Sequence, residues 1–127
     1  MKWLNDIGLA VLRIGSGLGM ATHGYPKVFD GIEGFTGAVE SMGFPFPLFF
    51  AWAAALSEFV GGILLALGVF TRTCAVLICG TMFVAAFIRH GGDPFSRKEL
   101  ALLYLIVTLA LAIMGGGRLA VEQLWKK

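Results

Sequence analysis

Apolar residues fall into four long runs that are separated by polar, glycine-containing or proline-containing segments. The runs are continuous rather than alternating, which favours helices over the strands of a membrane barrel. A helix needs about 20 mostly apolar residues to cross a bilayer. The pattern therefore predicts four membrane-spanning helices, over about residues 4–25, 46–70, 73–90 and 97–115.

The segments between the runs carry turn and cap signals. Thr71-Arg72-Thr73 predicts a tight turn in which Thr73 is the N-cap of the third helix. Gly91-Gly92-Asp93-Pro94 predicts a break after that helix. Ser96-Arg97-Lys98-Glu99 matches a capping box that would open the fourth helix.

The longest connection, residues 30–47, has an apolar stripe at helical spacing, from which Glu33 and Glu40 are excluded. Such a stripe predicts a short amphipathic helix that lies on the bilayer or caps the bundle, with an ordinary loop as the alternative. The stripe consists of Ile32, Phe35, Val39 and Met42.

Composition assigns the class of protein. The chain has 127 residues, of which 57% are hydrophobic and 14% charged, whereas soluble domains carry about 25% charged residues. Its two cysteines are too few for a disulfide-stapled domain, and its net charge of +2 is too small for a nucleic-acid-binding surface. We expect an all-α integral membrane protein, a single-domain four-helix bundle in the lipid bilayer.

The distribution of lysine and arginine gives a topology. Four spans place both termini on one side, where five basic residues fall, against four on the other side. Because positive charge favours the cytoplasmic side, the small excess predicts cytoplasmic termini.

Two charged residues interrupt the first two runs near their middles, Arg13 and Glu58. Adjacent antiparallel helices place such positions at similar depth, and a lone charge at the bilayer centre costs about 2.5–3.5 kcal/mol. We therefore expect Arg13 and Glu58 to pair inside the bundle. The pair either specifies the fold alone or forms the polar floor of a binding pocket.

The other candidate ligand-binding residues are His23 and Lys27, at the end of the first run. His23 is expected to bond a loop carbonyl or a ligand at the mouth of a pocket. His90 ends the third run on the same side, but no cysteine or carboxylate cluster accompanies the two histidines. The sequence therefore predicts no metal site.

Glycines at helix-packing spacing predict a tight bundle. Gly15 and Gly19 form a GxxxG motif, which lets helices approach closely or lets the chain self-associate. Gly61 and Gly62 lie one turn after Glu58.

Aromatic residues cluster where the second run begins, namely Phe44, Phe46, Phe49, Phe50 and Trp52. They form either an opening between helices that admits a quinone or a lipid tail, or an interfacial aromatic belt.

An ordered set of residues resembles the DoxX family of small four-span membrane proteins. The set comprises Arg13, Gly17, His23-Gly24, Lys27, Phe29, Gly43-Phe44-Pro45, Glu58, Gly61-Gly62, Gly68 and Thr71-Arg72. Near the C-terminus, Gly116-Gly117-Arg118 lacks the proline that relatives often carry. The resemblance implies a bacterial inner-membrane bundle that is associated with redox chemistry.

Three functions are compatible with these residues. The first is a redox-associated subunit that binds a quinone near Arg13 and Glu58, without an intrinsic cofactor, and receives electrons from a membrane or redox partner. The second is a non-catalytic assembly protein. The third is a proton or small-solute pathway along Asp6, Arg13 and Glu58. Whether the chain is an enzyme by itself is left open.

Overall fold

The computed structural model describes residues 2–124, and this part of the chain consists of helices joined by turns and short connections, without a strand. The all-α prediction is confirmed. Its elements are α1 (Lys2–Phe29), α2 (Ile32–Ser41), α3 (Pro47–Leu67), α4 (Thr71–Val84), a π-helical turn that continues α4 (Ala85–Arg89), α5 (Phe95–Met114) and a 3-10 turn (Val121–Leu124).

The long helices form an antiparallel bundle in which neighbours in sequence are neighbours in space. α1 packs on α3, α3 on α4, and α4 on α5, while α2 lies against α3. The core lies among α3, α4 and α5, where Leu65, Ile78 and Leu111 are fully buried. Outward-facing positions are also apolar, for example Phe83 and Ile106, as expected for a lipid-facing surface.

The amphipathic stripe in the first connection is helical, as predicted. Val39 is buried, Ile32, Phe35 and Met42 are partly buried, and Glu33 and Glu40 are exposed. The stripe packs against the bundle because α2 contacts α3 and α1.

Helix α1 continues to Phe29, past residue 25, where the sequence predicts its end. Pro26 lies within the helix, and the carbonyl of Pro26 accepts the amide of Asp30 at 2.8 Å. A proline costs one helical hydrogen bond, and here the helix tolerates that loss. The extra turn places Lys27 on the helix rather than in a loop.

The N-cap predicted at Thr73 is wrong, because α4 begins at Thr71 after Phe70. Gly68 ends α3 in the left-handed conformation, with φ of 82°. The amide of Thr71 donates to the Glu122 carboxylate at 3.1 Å. A distant carboxylate therefore replaces the local cap at this positively polarised helix end.

The capping box predicted before α5 is also wrong. The helix begins at Phe95 with Pro94 as its N-cap, and no side chain caps it. The predicted break at Gly91–Pro94 is present as a turn, in which the amide of Asp93 donates to the carbonyl of His90 at 3.0 Å.

Within residues 2–124, two helical segments are long and apolar enough to cross a membrane by length and composition. They are Pro47–Leu67, with a mean hydropathy of 1.9, and Thr71–Arg89, with a mean hydropathy of 1.8. The π-helical turn contributes to the second segment, because it extends α4 to a spanning length.

A cavity beside a buried ion pair

Arg13 and Glu58 are both buried, each with 2% of its surface exposed, but they do not pair with each other. The predicted Arg13–Glu58 pair is wrong for a reason of helix register. Gly24, not Arg13, packs directly on the backbone of Glu58 and Phe59. Arg13 lies eleven positions before Gly24, which is about 16 Å along the helix axis.

Arg13 instead binds the carboxyl-terminal end of α3. Its Nε donates to the carbonyl of Leu65 at 3.0 Å, and its Nη2 donates to that of Ala66 at 3.2 Å. Its Nη1 donates to the carbonyl of Gly116 at 2.9 Å. The last carbonyls of a helix lack intrahelical partners and carry partial negative charge, so the guanidinium satisfies them and joins the C-terminal segment to the bundle.

Glu122 completes this arginine site, and sequence reasoning missed it. Its carboxylate is buried, accepts the Thr71 amide and interacts electrostatically with Arg13. The only local signal was a carboxylate that follows the Gly115-Gly116-Gly117 break. Nothing in that signal shows that the tail folds back to the α3–α4 turn, where the amide of Glu122 donates to the carbonyl of Gly68 at 2.9 Å.

The partner of Glu58 is Lys27. The Nζ atom of Lys27 lies 2.8 Å from Oε1 and 2.9 Å from Oε2 of Glu58. The carboxylate is almost completely buried, whereas the lysine side chain is 31% exposed. The same Nζ lies 4.5 Å from the centroid of the Phe35 ring, within cation–π range.

This ion pair forms part of the wall of a cavity of about 610 Å³ among α2, α3, α4 and the π-helical turn. Most lining side chains are apolar or small, and they include Phe35, Val39, Phe44, Phe50, Ala53, Ala54, Leu77 and Gly80. Phe44 and Phe50 come from the aromatic cluster and contact each other with ring centroids 5.4 Å apart. Phe46 and Phe49 do not line the cavity.

A smaller cavity of about 160 Å³ lies on the other side of the pair, among α1, α5 and the end of the π-helical turn. His23, His90 and Tyr104 line it, together with Lys27 and Glu58. The ring of Tyr104 stands edge-on to that of His23, with centroids 5.6 Å apart. Sequence reasoning missed Tyr104, whose only signal was a hydroxyl in an apolar run.

Of the predicted packing glycines, three contact neighbouring helices. A Cβ at Gly62 would lie 2.6 Å from the carbonyl oxygen of Gly17, Gly61 contacts Ile78, and Gly19 lies under the Tyr104 hydroxyl. The prediction for Gly15 is wrong within this chain, since nothing lies within 4 Å of the place of its Cβ. Gly17 makes the close contact to α3 instead.

The chain folds into an antiparallel helical bundle with an apolar surface and a buried ion pair beside an apolar cavity. These features are those of a small helical membrane protein. The DoxX family model matches residues 8–91 of the chain. The chain therefore belongs to the DoxX family, as its residues indicated.

Two other bacteria have similar proteins of similar length. The "Putative oxidoreductase CatD" of Bacillus subtilis is 33% identical over 118 residues, which cover 92% of this chain and 86% of that protein. The "Inner membrane protein YqjF" of Escherichia coli is 32% identical over 100% of this chain and 98% of that protein. No solved structure matches the chain.

Proposed function

We propose that this protein is a four-span subunit of a bacterial inner membrane that binds a quinone, or a similar lipophile with a polar head, beside the Lys27–Glu58 pair. The observation that carries the proposal is the cavity of about 610 Å³ with that pair in its wall. Ligand pockets of about 300–1,000 Å³ typically combine apolar walls with a few placed polar groups.

The donors in the cavity wall fit a quinone head. The ammonium of Lys27 has three N–H donors, and both of its hydrogen bonds go to the oxygens of one carboxylate. A further donor is therefore left for a carbonyl oxygen of a ligand. Phe44 and Phe50 offer aromatic faces for a ring, and His90 lies at the same wall.

The chain itself would bind and orient the head group and hold a proton at Glu58. A bound quinone supplies two-electron redox chemistry, whose electrons would come from a partner oxidoreductase. The name of the Bacillus subtilis relative supports a redox association, and that of the Escherichia coli relative supports the inner membrane as location.

The experiment is native mass spectrometry of the chain released from mild detergent, with the bound small molecules identified. Gly80 lines the larger cavity and has no atom within 4 Å of the place of its Cβ. Gly80→Leu should therefore place its Cβ in free space, extend its side chain into the cavity and remove a discrete lipophile. Gly8→Leu is the matched control, since Gly8 is equally unhindered on α1 but lines neither cavity.

A second pair of variants tests the charge. Glu58→Gln should release the lipophile, whereas Glu122→Gln changes a similarly buried carboxylate outside both cavities and should not. Wild-type protein that carries only bulk membrane lipid, or a lipophile retained in Gly80→Leu, would contradict the proposal. The first of these results would favour the assembly role.

A further inference from the structure

Glu58 is reached from two cavities of different character. The larger cavity has mainly apolar walls, whereas half of the ten residues that line the smaller one are polar or titratable. Lys27, Glu58, Ala85 and His90 belong to both linings. The ion pair therefore forms part of a partition between an apolar chamber and a more polar one.

The smaller cavity is suited to water. A water molecule occupies about 30 Å³ in the liquid and needs two to four polar partners, so about 160 Å³ holds several. His23, His90, Tyr104 and the pair itself supply those partners. His23 is exposed while it lines the cavity, and the side chain of His90 is 29% exposed. The cavity therefore communicates with the outside at its histidine end.

We propose that the smaller cavity is a water-filled route by which protons reach and leave Glu58, so that this carboxylate exchanges protons on one side and meets the ligand on the other. In the step, an N–H bond of a protonated His23 or His90, or an O–H bond of hydronium, breaks and an O–H bond forms at Glu58. Lys27 keeps its charge and is released to donate to the ligand.

The surroundings of Glu58 favour this role over a static pair. The charged and titratable groups at the two chambers are Lys27 and His23 from α1, Arg89 and His90 from the end of the π-helical turn, and Tyr104 from α5. The Nδ1 atom of His90 lies 2.8 Å from Asp93 Oδ2, which orients the imidazole at the cavity wall. The π-helical turn shifts the helix by one residue at this point, a feature that is frequent at functional sites.

This inference deepens the proposed function and rests on it only for the identity of the ligand. Water access is measured without any ligand, by cysteine labelling of the full chain in lipid nanodiscs, in a Cys74→Ala, Cys79→Ala background. Ala101→Cys places a thiol in the smaller cavity. Leu103→Cys, two residues further on α5, places one on the exposed apolar surface outside both cavities.

A permanently charged methanethiosulfonate reagent should modify Ala101→Cys about 100-fold faster than Leu103→Cys, since placing a charge in hydrocarbon is that unfavourable. Equal, slow labelling of both would overturn the water route. A lipophilic maleimide serves as the control that both thiols are intact. Infrared difference spectra then follow the appearance of the protonated Glu58 carboxyl after a rapid fall in pH.

Protonation of Glu58, assigned by the loss of its carboxyl signal in Glu58→Gln, should be slowed in Ala101→Trp, which fills the smaller cavity. Unchanged protonation kinetics in that variant would also overturn the route. The two proposals fail separately. Fast labelling of Ala101→Cys with no lipophile in the native mass spectra would contradict the ligand proposal and leave the proton route standing. A bound lipophile with slow labelling would support the ligand proposal and contradict the proton route.

Discussion

The two buried charged sites of the bundle differ in what surrounds them. At one end, Arg13 donates to three backbone carbonyls, from Leu65, Ala66 and Gly116, and lines neither cavity. At the other end, Glu58 has a single side-chain partner, Lys27, and lines both cavities. Burial alone does not separate the two sites, since Arg13 and Glu58 are equally inaccessible.

The surroundings of a buried charge distinguish a structural role from a functional one. A guanidinium bonded to main-chain carbonyls at the end of a helix joins segments that are far apart in sequence. A carboxylate held by one flexible lysine beside two cavities can exchange that partner for a ligand. We therefore expect changes at Arg13 to affect folding, and changes at Glu58 and Lys27 to affect binding as well.

The largest effect is expected for Arg13→Met. This change leaves three carbonyls and the buried Glu122 carboxylate without their cation, and we expect the free energy of unfolding to fall by about 3–5 kcal/mol. Reversible unfolding in mixed detergent micelles measures the loss. Arg13→Lys should recover only part of it, because one ammonium cannot reproduce the planar fork of donors. A loss of lipophile from the folded Arg13→Met fraction would contradict a purely structural role of Arg13.

Lys27→Met should have the next largest effect. It leaves the Glu58 carboxylate buried without a partner, which should lower the free energy of unfolding by about 1.5–3 kcal/mol. Adding Glu58→Gln should restore part of the stability, since the buried charge is then gone, but should not restore lipophile binding. The same unfolding assay and native mass spectra follow the two properties. A double variant less stable than Lys27→Met would contradict the pairing.

Gly24→Ala tests whether close packing sets the register of the ion-pair site. A Cβ at Gly24 would collide with the Phe59 amide and lie 2.8 Å from the carbonyl carbon of Glu58. α1 and α3 would have to separate, at a cost of about 1–3 kcal/mol. Because Lys27 lies on the next turn of α1, we expect reduced lipophile occupancy with the loss of stability. Unchanged stability and occupancy would contradict this packing.

The sequence predicts well what depends on local patterns. The apolar runs predicted the helices, the stripe that includes Val39 predicted α2, and the isolated charges in apolar runs predicted the burial of Arg13 and Glu58. It did not predict their partners, which depend on helix register. That register follows from the continuation of α1 through Pro26 and from the contact of Gly24 with α3.

The starts of α4 and α5 were also not predicted correctly from local sequence patterns. The cap predicted at Thr73 failed because a tertiary contact takes its place, and no local window contains that contact. Glu122, fifty-one residues away, accepts the first amide of α4. The sequence did not predict the cavities either, since they arise where α2, the π-helical turn and α5 leave space around one ion pair.

The smallest effect, and one of opposite sign, is expected for Gly15→Ala. Gly15 lies two residues from Arg13, yet it faces outward with nothing within 4 Å of the place of its Cβ. An alanine there should stabilise α1 by about 0.8–1.0 kcal/mol through helix propensity alone, without changing the Arg13 contacts or lipophile occupancy. Reversible unfolding at two protein concentrations gives the measurement. A loss of stability that shrinks on dilution would instead place Gly15 in a contact between copies of the chain, because such a contact stabilises the protein only at concentrations where the copies associate.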